Sequence, residues 1–274
     1  MYNPSQYLVT TDWLAQHLND PQVVVVDCRF SLPEPDLGRQ QYETGHIPGA
    51  YYLDLNQDLS SPVQPHGGRH PLPDWGKFVA RLNQLGIHSS LPTRVLVYDD
   101  SRFAFAARLW WMLRYLGHNH VAILDGGFGA WQAAGLPLSQ EFPSERAGHF
   151  EPQPQAGWVV DIDAVRELPP NTLLIDSRSA ERYRGETEPI DPIAGSVPSA
   201  VNAFWKEITD ESGHLKSADE LAEHWRMADE ADDVVVYCGS GVTACVNLFS
   251  QVMAGKPMSK LYPGGWSDWC SYLI

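Results

Sequence analysis

Cysteine is scarce in this chain. There are four in 274 residues, none paired as Cys-x-x-C and none set with histidines at zinc-ligand spacing. That excludes a zinc-knuckle fold and leaves no resident metal expected. A chain of this length buries its own core without disulfide staples, so the thiols point to a reducing compartment, the cytoplasm. Cations are scarce too. Nineteen Lys and Arg face 34 Asp and Glu, a net charge of −15. Such a surface cannot neutralise phosphates, which excludes nucleic acid and anionic membranes as partners, and an anionic substrate would need a local island of positive potential. No apolar run approaches the ~18–20 residues that span a bilayer. The first ten residues carry no basic and no apolar region, so no signal peptide is expected.

What the chain has is itself, twice. Val23-Val24-Val25-Val26-Asp27-Cys28-Arg29 is echoed by Thr172-Leu173-Leu174-Ile175-Asp176-Ser177-Arg178. Gly45-His46-Ile47-Pro48-Gly49-Ala50 is echoed by Gly195-Ser196-Val197-Pro198-Ser199-Ala200, and Val95-Leu96-Val97-Tyr98-Asp99 by Val234-Val235-Val236-Tyr237-Cys238. Gly126-Gly127-Phe128 with Trp131 returns as Gly264-Gly265-Trp266 with Trp269. Matches in the same order argue for duplication. Each half opens on a helical pattern, as at Thr11-Asp12-Trp13-Leu14-Ala15-Gln16-His17-Leu18, and then alternates short β-branched runs with helical stretches. This predicts an α/β fold, each half a mostly parallel sheet with helices on both faces. The proline-bearing stretch 139–157 is the expected linker between domains at 1–138 and 158–274. Residues 103–116, apolar almost all round with Trp110 and Trp111, read as a buried core helix rather than a cofactor platform.

The chemistry concentrates after Val234-Val235-Val236-Tyr237. Cys238 stands at the C-terminal edge of a parallel strand, followed by Gly239-Ser240-Gly241-Val242-Thr243-Ala244 and then a helical run. Ligands in α/β folds bind at such edges. The glycines let backbone N–H groups turn inward, and the helix N-terminus adds roughly half a positive charge. Both stabilise an anionic sulfur, and a cup of amides also suits the outer sulfur of a persulfide; no metal or organic cofactor is required. Cys28, Cys245 and Cys270 lack this setting and read as structural.

Two rival readings fail on particular residues. The loop fits G-x-G-x-x-[GA], but a dinucleotide site wants an acid at the end of the next strand, and Ser259-Lys260-Leu261-Tyr262-Pro263 has none. A cysteine phosphatase closes its loop with an arginine about six residues after the cysteine, where this chain has Ala244.

With these motifs in hand, the chain resembles the tandem-domain rhodanese family over nearly its full length. Its loop is similar to that of the 3-mercaptopyruvate sulfurtransferase branch, whereas thiosulfate-specific members more often carry basic residues after the cysteine. The resemblance implies two rhodanese-like domains. The first is silent, with Asp99 standing where Cys238 stands in the second. It implies transfer of a sulfane sulfur from a small anionic donor, 3-mercaptopyruvate, through a Cys238 persulfide to cyanide or a thiol acceptor such as a small redox protein. Thiosulfate is the alternative donor, and a persulfide-binding scaffold without turnover the alternative of another class. Arg182, in Arg182-Tyr183-Arg184-Gly185, matches the arginine that holds the donor's carboxylate. The second family arginine, after Glu188-Pro189, is missing, because Ile190-Asp191-Pro192 follows. Arg69, in His66-Gly67-Gly68-Arg69-His70-Pro71-Leu72-Pro73, is expected to replace it, although the segment otherwise reads as an exposed loop. Gly239, Gly241, Val242 and Thr243 complete the binding loop. The branch's serine–histidine–aspartate relay is matched by Ser240, His46 and, loosely, Asp36.

Overall fold

The computed structural model describes residues 6–89 and 93–274. The β-branched runs of the first half form β1 (Leu8–Val9), β2 (Val23–Asp27), β3 (Tyr51–Tyr52), β4 (Arg94–Tyr98) and β5 (Val121–Leu124). They join in one parallel sheet, ordered β1-β5-β4-β2-β3. Every residue of β2 and β5 is buried, and since successive side chains point to opposite faces, the sheet is covered on both. The connecting helices are α1 (Thr11–His17), α2 (Leu37–Thr44), α3 (Trp75–Gln84), α4 (Ala106–Tyr115) and α5 (Gly127–Ala133). In α4 all residues from Ala106 to Leu113 are buried, Trp110 and Trp111 among them, as its uninterrupted apolar surface predicts.

The second half repeats the plan with α6 (Ile162–Arg166), β6 (Thr172–Asp176), α7 (Ala180–Tyr183), β7 (Val201–Asn202), α8 (Ala218–His224), β8 (Asp233–Tyr237), α9 (Ala244–Met253), β9 (Lys260–Leu261) and α10 (Gly265–Ser271). Its parallel sheet runs β7-β6-β8-β9, and Val159 bridges Leu261 where β1 pairs with β5 in the first sheet. Among the described residues no helix is long and apolar enough to cross a membrane.

The duplication holds bond by bond. Asp27 ends its strand fully buried and takes the forked guanidinium of Arg29, as Asp176 takes that of Arg178. Arg29 reaches on to Gly45 O at 2.8 Å, Arg178 to Gly195 O at 2.6 Å. The Tyr98 and Tyr237 hydroxyls accept from Ile47 N–H and Val197 N–H at 3.2 and 3.1 Å. Phe128 N–H donates to Asp99 O, and Trp266 N–H to Cys238 O, both at 2.8 Å.

The chain divides into two units, but not by one cut. Unit 1 is Met1–Ser61, Pro73–Gln155 and Glu211–Leu215; unit 2 is Pro62–Leu72, Ala156–Asp210 and Lys216–Ile274. Each unit thus includes a segment lent by the other half, from the same place in the repeat: between β3 and α3 in one case, β7 and α8 in the other. Most of the stretch expected to link the domains packs on unit 1. Arg146 and Gly148 N–H donate to Gln84 O and Asn83 O at 2.8 and 2.7 Å, and Gln153 N–H to Leu116 O at 2.9 Å.

The loop after β4 stands in unit 1 where the Cys238 loop stands in unit 2. A cavity of about 210 Å³ lies here, lined in part by Asp99, Asp100, Arg102 and Glu211. The Asp99 carboxylate, buried at the strand end, accepts the N–H groups of Ser101, Phe103, Phe105 and Ala106 at 2.8–3.1 Å. The amide cup is filled by the chain's own anion. Burial nevertheless outweighs these bonds and raises the Asp99 carboxyl to about 6. A folded-state pKa above the unfolded one means that the folded chain holds the proton more tightly. Stability is therefore greatest below the unfolded value near 4 and is lost as pH rises to about 6. We expect the stability of the parent relative to Asp99→Asn to fall by on the order of 3 kcal/mol between those limits, and to be flat above them. Urea midpoints across pH measure this; a difference independent of pH would refute the assignment.

Candidate active site

Unit 2 offers the same loop with sulfur in place of the carboxylate. Cys238 is the first residue after β8, and Gly239, Ser240, Gly241, Val242 and Thr243 carry the chain to α9. The loop is buried, with Cys238 2% and Ser240 5% exposed. It is pinned from below by the start of α10, where Trp266 N–H donates to Cys238 O and Ser267 N–H to Gly239 O at 2.8 and 2.9 Å. Gly241 has φ +70°, and a Cβ there would stand 2.4 Å from Pro263 O, so only glycine fits this bend. The loop starts at the strand end, where unit 1 puts the Asp99 carboxylate and unit 2 puts Cys238.

The other three cysteines have different surroundings. Burial, with Asp27, Asp99 and Asp58 adding to it, pushes the Cys28 thiol well above its ordinary value. Burial also raises Cys270. Cys245, on the first turn of α9, donates its S–H to Gly241 O at 3.4 Å and so helps hold the loop. All four cysteines are free and buried. Among the described residues no group of three or more His, Cys, Asp or Glu is arranged to hold a metal ion.

Around Cys238 runs a chain of alternating charges. From Asp176 it passes to Arg178, whose Nη1 donates to Glu188 Oε2 at 3.1 Å. Glu188 takes Arg182 through Nε and Nη2 at 3.1 and 2.7 Å. Arg182 Nη2 also reaches Asp191 Oδ2 at 3.1 Å, and Asp191 Oδ1 accepts from Arg69 Nη1. Arg69 and Arg182 thereby come together at the loop. A Cβ on Gly239 would lie 2.9 Å from Arg69 Nη2 and 3.7–3.8 Å from both terminal nitrogens of Arg182. Burial lowers the Arg69 guanidinium from its ordinary value; Cys238 opposes that and Arg182 adds to it. Arg69 remains a cation throughout the working pH range.

Residues 62–66 are exposed, as their composition suggests, but Gly68 and His70 are buried. Residues 62–72 belong to unit 2, held along α10: Gly67 N–H donates to Asp268 Oδ1 at 2.7 Å and Arg69 N–H to Ser267 Oγ at 3.1 Å. His66 stacks on Tyr272 and meets Ser271 Oγ at 2.7 Å. The consequence is a pairing that local sequence pattern missed: buried His70 places Nδ1 2.7 Å from Ser240 Oγ.

The relay expected over Ser240, His46 and Asp36 is corrected accordingly. His46 is fully buried within unit 1, with Nδ1 2.7 Å from Tyr42 O, Nε2 3.1 Å from Glu141 O, and its ring stacked on Tyr42. It braces the turn after α2. Asp36 is exposed at the start of that helix and makes no side-chain cap bond. The histidine that meets Ser240 is His70. The signal available for it was the pair of titratable side chains flanking Arg69 in an otherwise apolar, proline-rich segment.

Comparison with known proteins agrees with the repeat. A rhodanese-like domain is recognised at residues 10–134 and again at 162–272. A Pseudomonas aeruginosa protein named a probable 3-mercaptopyruvate sulfurtransferase is 42% identical, over 97% of this chain and 95% of its own. A Mycobacterium tuberculosis protein provisionally named a thiosulfate sulfurtransferase, SseB, is 36% identical, over 97% of this chain and 94% of its own. Among solved structures, a 3-mercaptopyruvate sulfurtransferase from Leishmania major superposes with a TM-score of 0.85 at 32% identity, covering 98% of this chain and 75% of that one.

The docking of residues 62–72 is testable at Gly68. Its φ is +83°, and a Cβ would stand 2.4 Å from Gly264 O, so Gly68→Ala must push the segment off α10. We expect a loss of about 1–3 kcal/mol from strain and overpacking. The His70 imidazole should also shift in the NMR spectrum as it leaves Ser240. At Gly67 a Cβ would meet nothing within 4 Å, so Gly67→Ala, which carries backbone strain alone, should leave that signal in place. Identical His70 signals in the parent and Gly68→Ala would show that α10 does not hold the segment.

Proposed function

The chain belongs to the rhodanese family, as two tandem rhodanese-like domains, and is a sulfurtransferase; from that premise we propose that it takes sulfur from 3-mercaptopyruvate through a persulfide on Cys238. One observation carries the choice of donor. Two guanidinium groups, Arg69 and Arg182, converge beside Gly239, one residue from the sulfur, and a donor that presents a carboxylate and a thiol a few bonds apart can use both.

The reaction runs in two halves. The Cys238 thiolate attacks the donor's sulfur, an S–S bond forms, and the C–S bond breaks. Its electron pair goes to the methylene carbon, which takes a proton and leaves as pyruvate. The donor's own thiol proton balances the one taken up, so no oxidant or reductant enters. We assign this proton to the pair of Ser240, two residues after Cys238, and His70, whose Nδ1 lies 2.7 Å from Ser240 Oγ. The outer sulfur of the persulfide then passes to an acceptor thiolate, of a small molecule or a small redox protein, and the Cys238 thiolate returns. The amide cup is suited to the anionic outer sulfur in the interval. Unit 1 has no counterpart to this step, because Asp99 carries no nucleophilic sulfur and already fills its own cup.

Thiosulfate is the second reading, favoured by the Mycobacterium tuberculosis relative. Its sulfite leaves without needing a proton, which separates the two donors experimentally. Incubation with 3-mercaptopyruvate should add one sulfur atom to Cys238, by mass spectrometry, and release one pyruvate. Cys238→Ser should abolish both while remaining folded, whereas Cys28→Ser and Cys270→Ser should keep them. His70→Asn should slow pyruvate release by roughly 10²-fold, the size of a lost general acid, and leave transfer from thiosulfate much less affected. A higher kcat/KM for thiosulfate than for 3-mercaptopyruvate would reverse the order of the two donors. Turnover by Cys238→Ser would overturn the mechanism altogether.

A further inference from the structure

The family pattern puts a second arginine after Glu-Pro, and this chain puts Ile190 and an acid, Asp191, there instead. Asp191 is far from a bystander. Its side chain is 2% exposed, against 27% for Arg69 and 17% for Arg182. One oxygen accepts from Arg69 and the other from Arg182, so a single buried carboxylate gathers two guanidinium groups that lie more than a hundred residues apart in the chain. Its own position is set by its backbone N–H, which donates to Glu188 Oε1 at 3.1 Å.

The bonds to Asp191 leave part of each arginine unspent. Arg69 Nη2 and Arg182 Nη1 donate to no described residue, and both lie within 4 Å of where a Gly239 Cβ would stand. We propose that Asp191 is a positioning and specificity-determining residue. It holds Arg69 and Arg182 as one fork beside Cys238, and by cancelling charge it fits that fork to a monocarboxylate donor rather than to a dianion. This deepens the sulfurtransfer reading above and rests on it.

The charge balance supplies the selectivity. Arg69, Arg178 and Arg182 face Asp176, Glu188 and Asp191, so the cluster is neutral as it stands. A neutral fork offers directional hydrogen bonds without a net field. A carboxylate accepts those bonds from side chains already held in place, and loses little to ordering them. A dianion arriving next to the Cys238 thiolate needs net positive charge, which Asp191 removes. Coulomb energy scales with the ligand's charge, so restoring one positive charge favours a dianion twice as much as a monoanion.

Asp191→Asn separates the two effects. It keeps the shape, loses one acceptor and leaves the cluster with one uncompensated cation. We expect KM for 3-mercaptopyruvate to rise roughly tenfold with kcat within about threefold, and the ratio of kcat/KM for 3-mercaptopyruvate over thiosulfate to fall at least about tenfold. In the Cys238→Ser background, calorimetry should show pyruvate binding more weakly and sulfate more tightly when Asp191→Asn is added. A residue that only supports the fold would weaken both ligands together, so a donor ratio unchanged within about twofold overturns the proposal. If Asp191→Asn does not fold, Asp191→Glu, which keeps the charge and moves the carboxylate by one methylene, should raise KM for both donors with their ratio preserved. An unchanged KM in that variant overturns the positioning role. A parent protein that forms no Cys238 persulfide from either donor sinks the sulfurtransfer reading and this proposal together. A parent that does, with an unmoved ratio in the variant, sinks this proposal alone.

Discussion

A carboxylate buried at the end of a parallel strand has to place its charge somewhere, and in both units it does so on the arginine two residues on. Asp27 with Arg29, and Asp176 with Arg178, are almost inaccessible to water. Breaking such a pair would strand a charge at a cost of several kcal/mol. Much of each unit is arranged to keep it. The arginine stacks on Phe128 or Trp266 and takes the carbonyl of Gly45 or Gly195, and the strand-end tyrosine lies against the aspartate. The two copies differ in what lies beyond. In unit 2 Arg178 finds a second acid, Glu188, and through it Arg182, Asp191 and Arg69. A pair that stands alone with its tyrosine and carbonyl in one copy is in the other the root of a charged chain ending beside the Cys238 loop.

The loops after β4 and β8 are a second such divergence. Both follow a tyrosine that ends a strand, and both carry a left-handed residue three positions after the loop's first. In unit 2 that residue is Gly241; in unit 1 it is Arg102, followed by Phe103, also left-handed, with φ values of 56° and 70°. Side chains in that region are strained, by on the order of 1 kcal/mol each. The bonds from four amides to the Asp99 carboxylate are what hold the unit 1 loop in shape. Unit 2 needs no such anchor, because glycine adopts the bend freely and α10 grips the loop by its carbonyls.

The architecture was legible in the sequence because its signals are local. Valine runs become doubly covered strands, the apolar stretch through Trp110 and Trp111 becomes α4, and an ordered set of echoes becomes a repeated topology. The position of Cys238 between β8 and α9 was legible for the same reason. The partners of that loop were not. His70 and Ser240 are 170 residues apart, and no periodicity links them. His46 drew attention because Gly45-His46-Ile47-Pro48 is a recognisable motif, yet a motif of backbone geometry employs its histidine as a brace, with both ring nitrogens on main-chain carbonyls. Asp191 looked like the loss of a cation. Read from side-chain contacts it is the means by which a cation is recruited from elsewhere in the chain.

The lending of residues 62–72 to unit 2 has a consequence for how the protein is born. Arg69 and His70 leave the ribosome early, while Ser240 comes 170 residues after His70 and Ser267 198 residues after Arg69. At about 5–20 residues per second that is a wait on the order of ten to forty seconds. During this time α10, on which the segment is held, does not yet exist. When Cys238 itself emerges, the chain still lacks α10, which seats both the cysteine loop and the borrowed segment. The Cys238 loop therefore acquires the contacts that seat it only after α10 has been made.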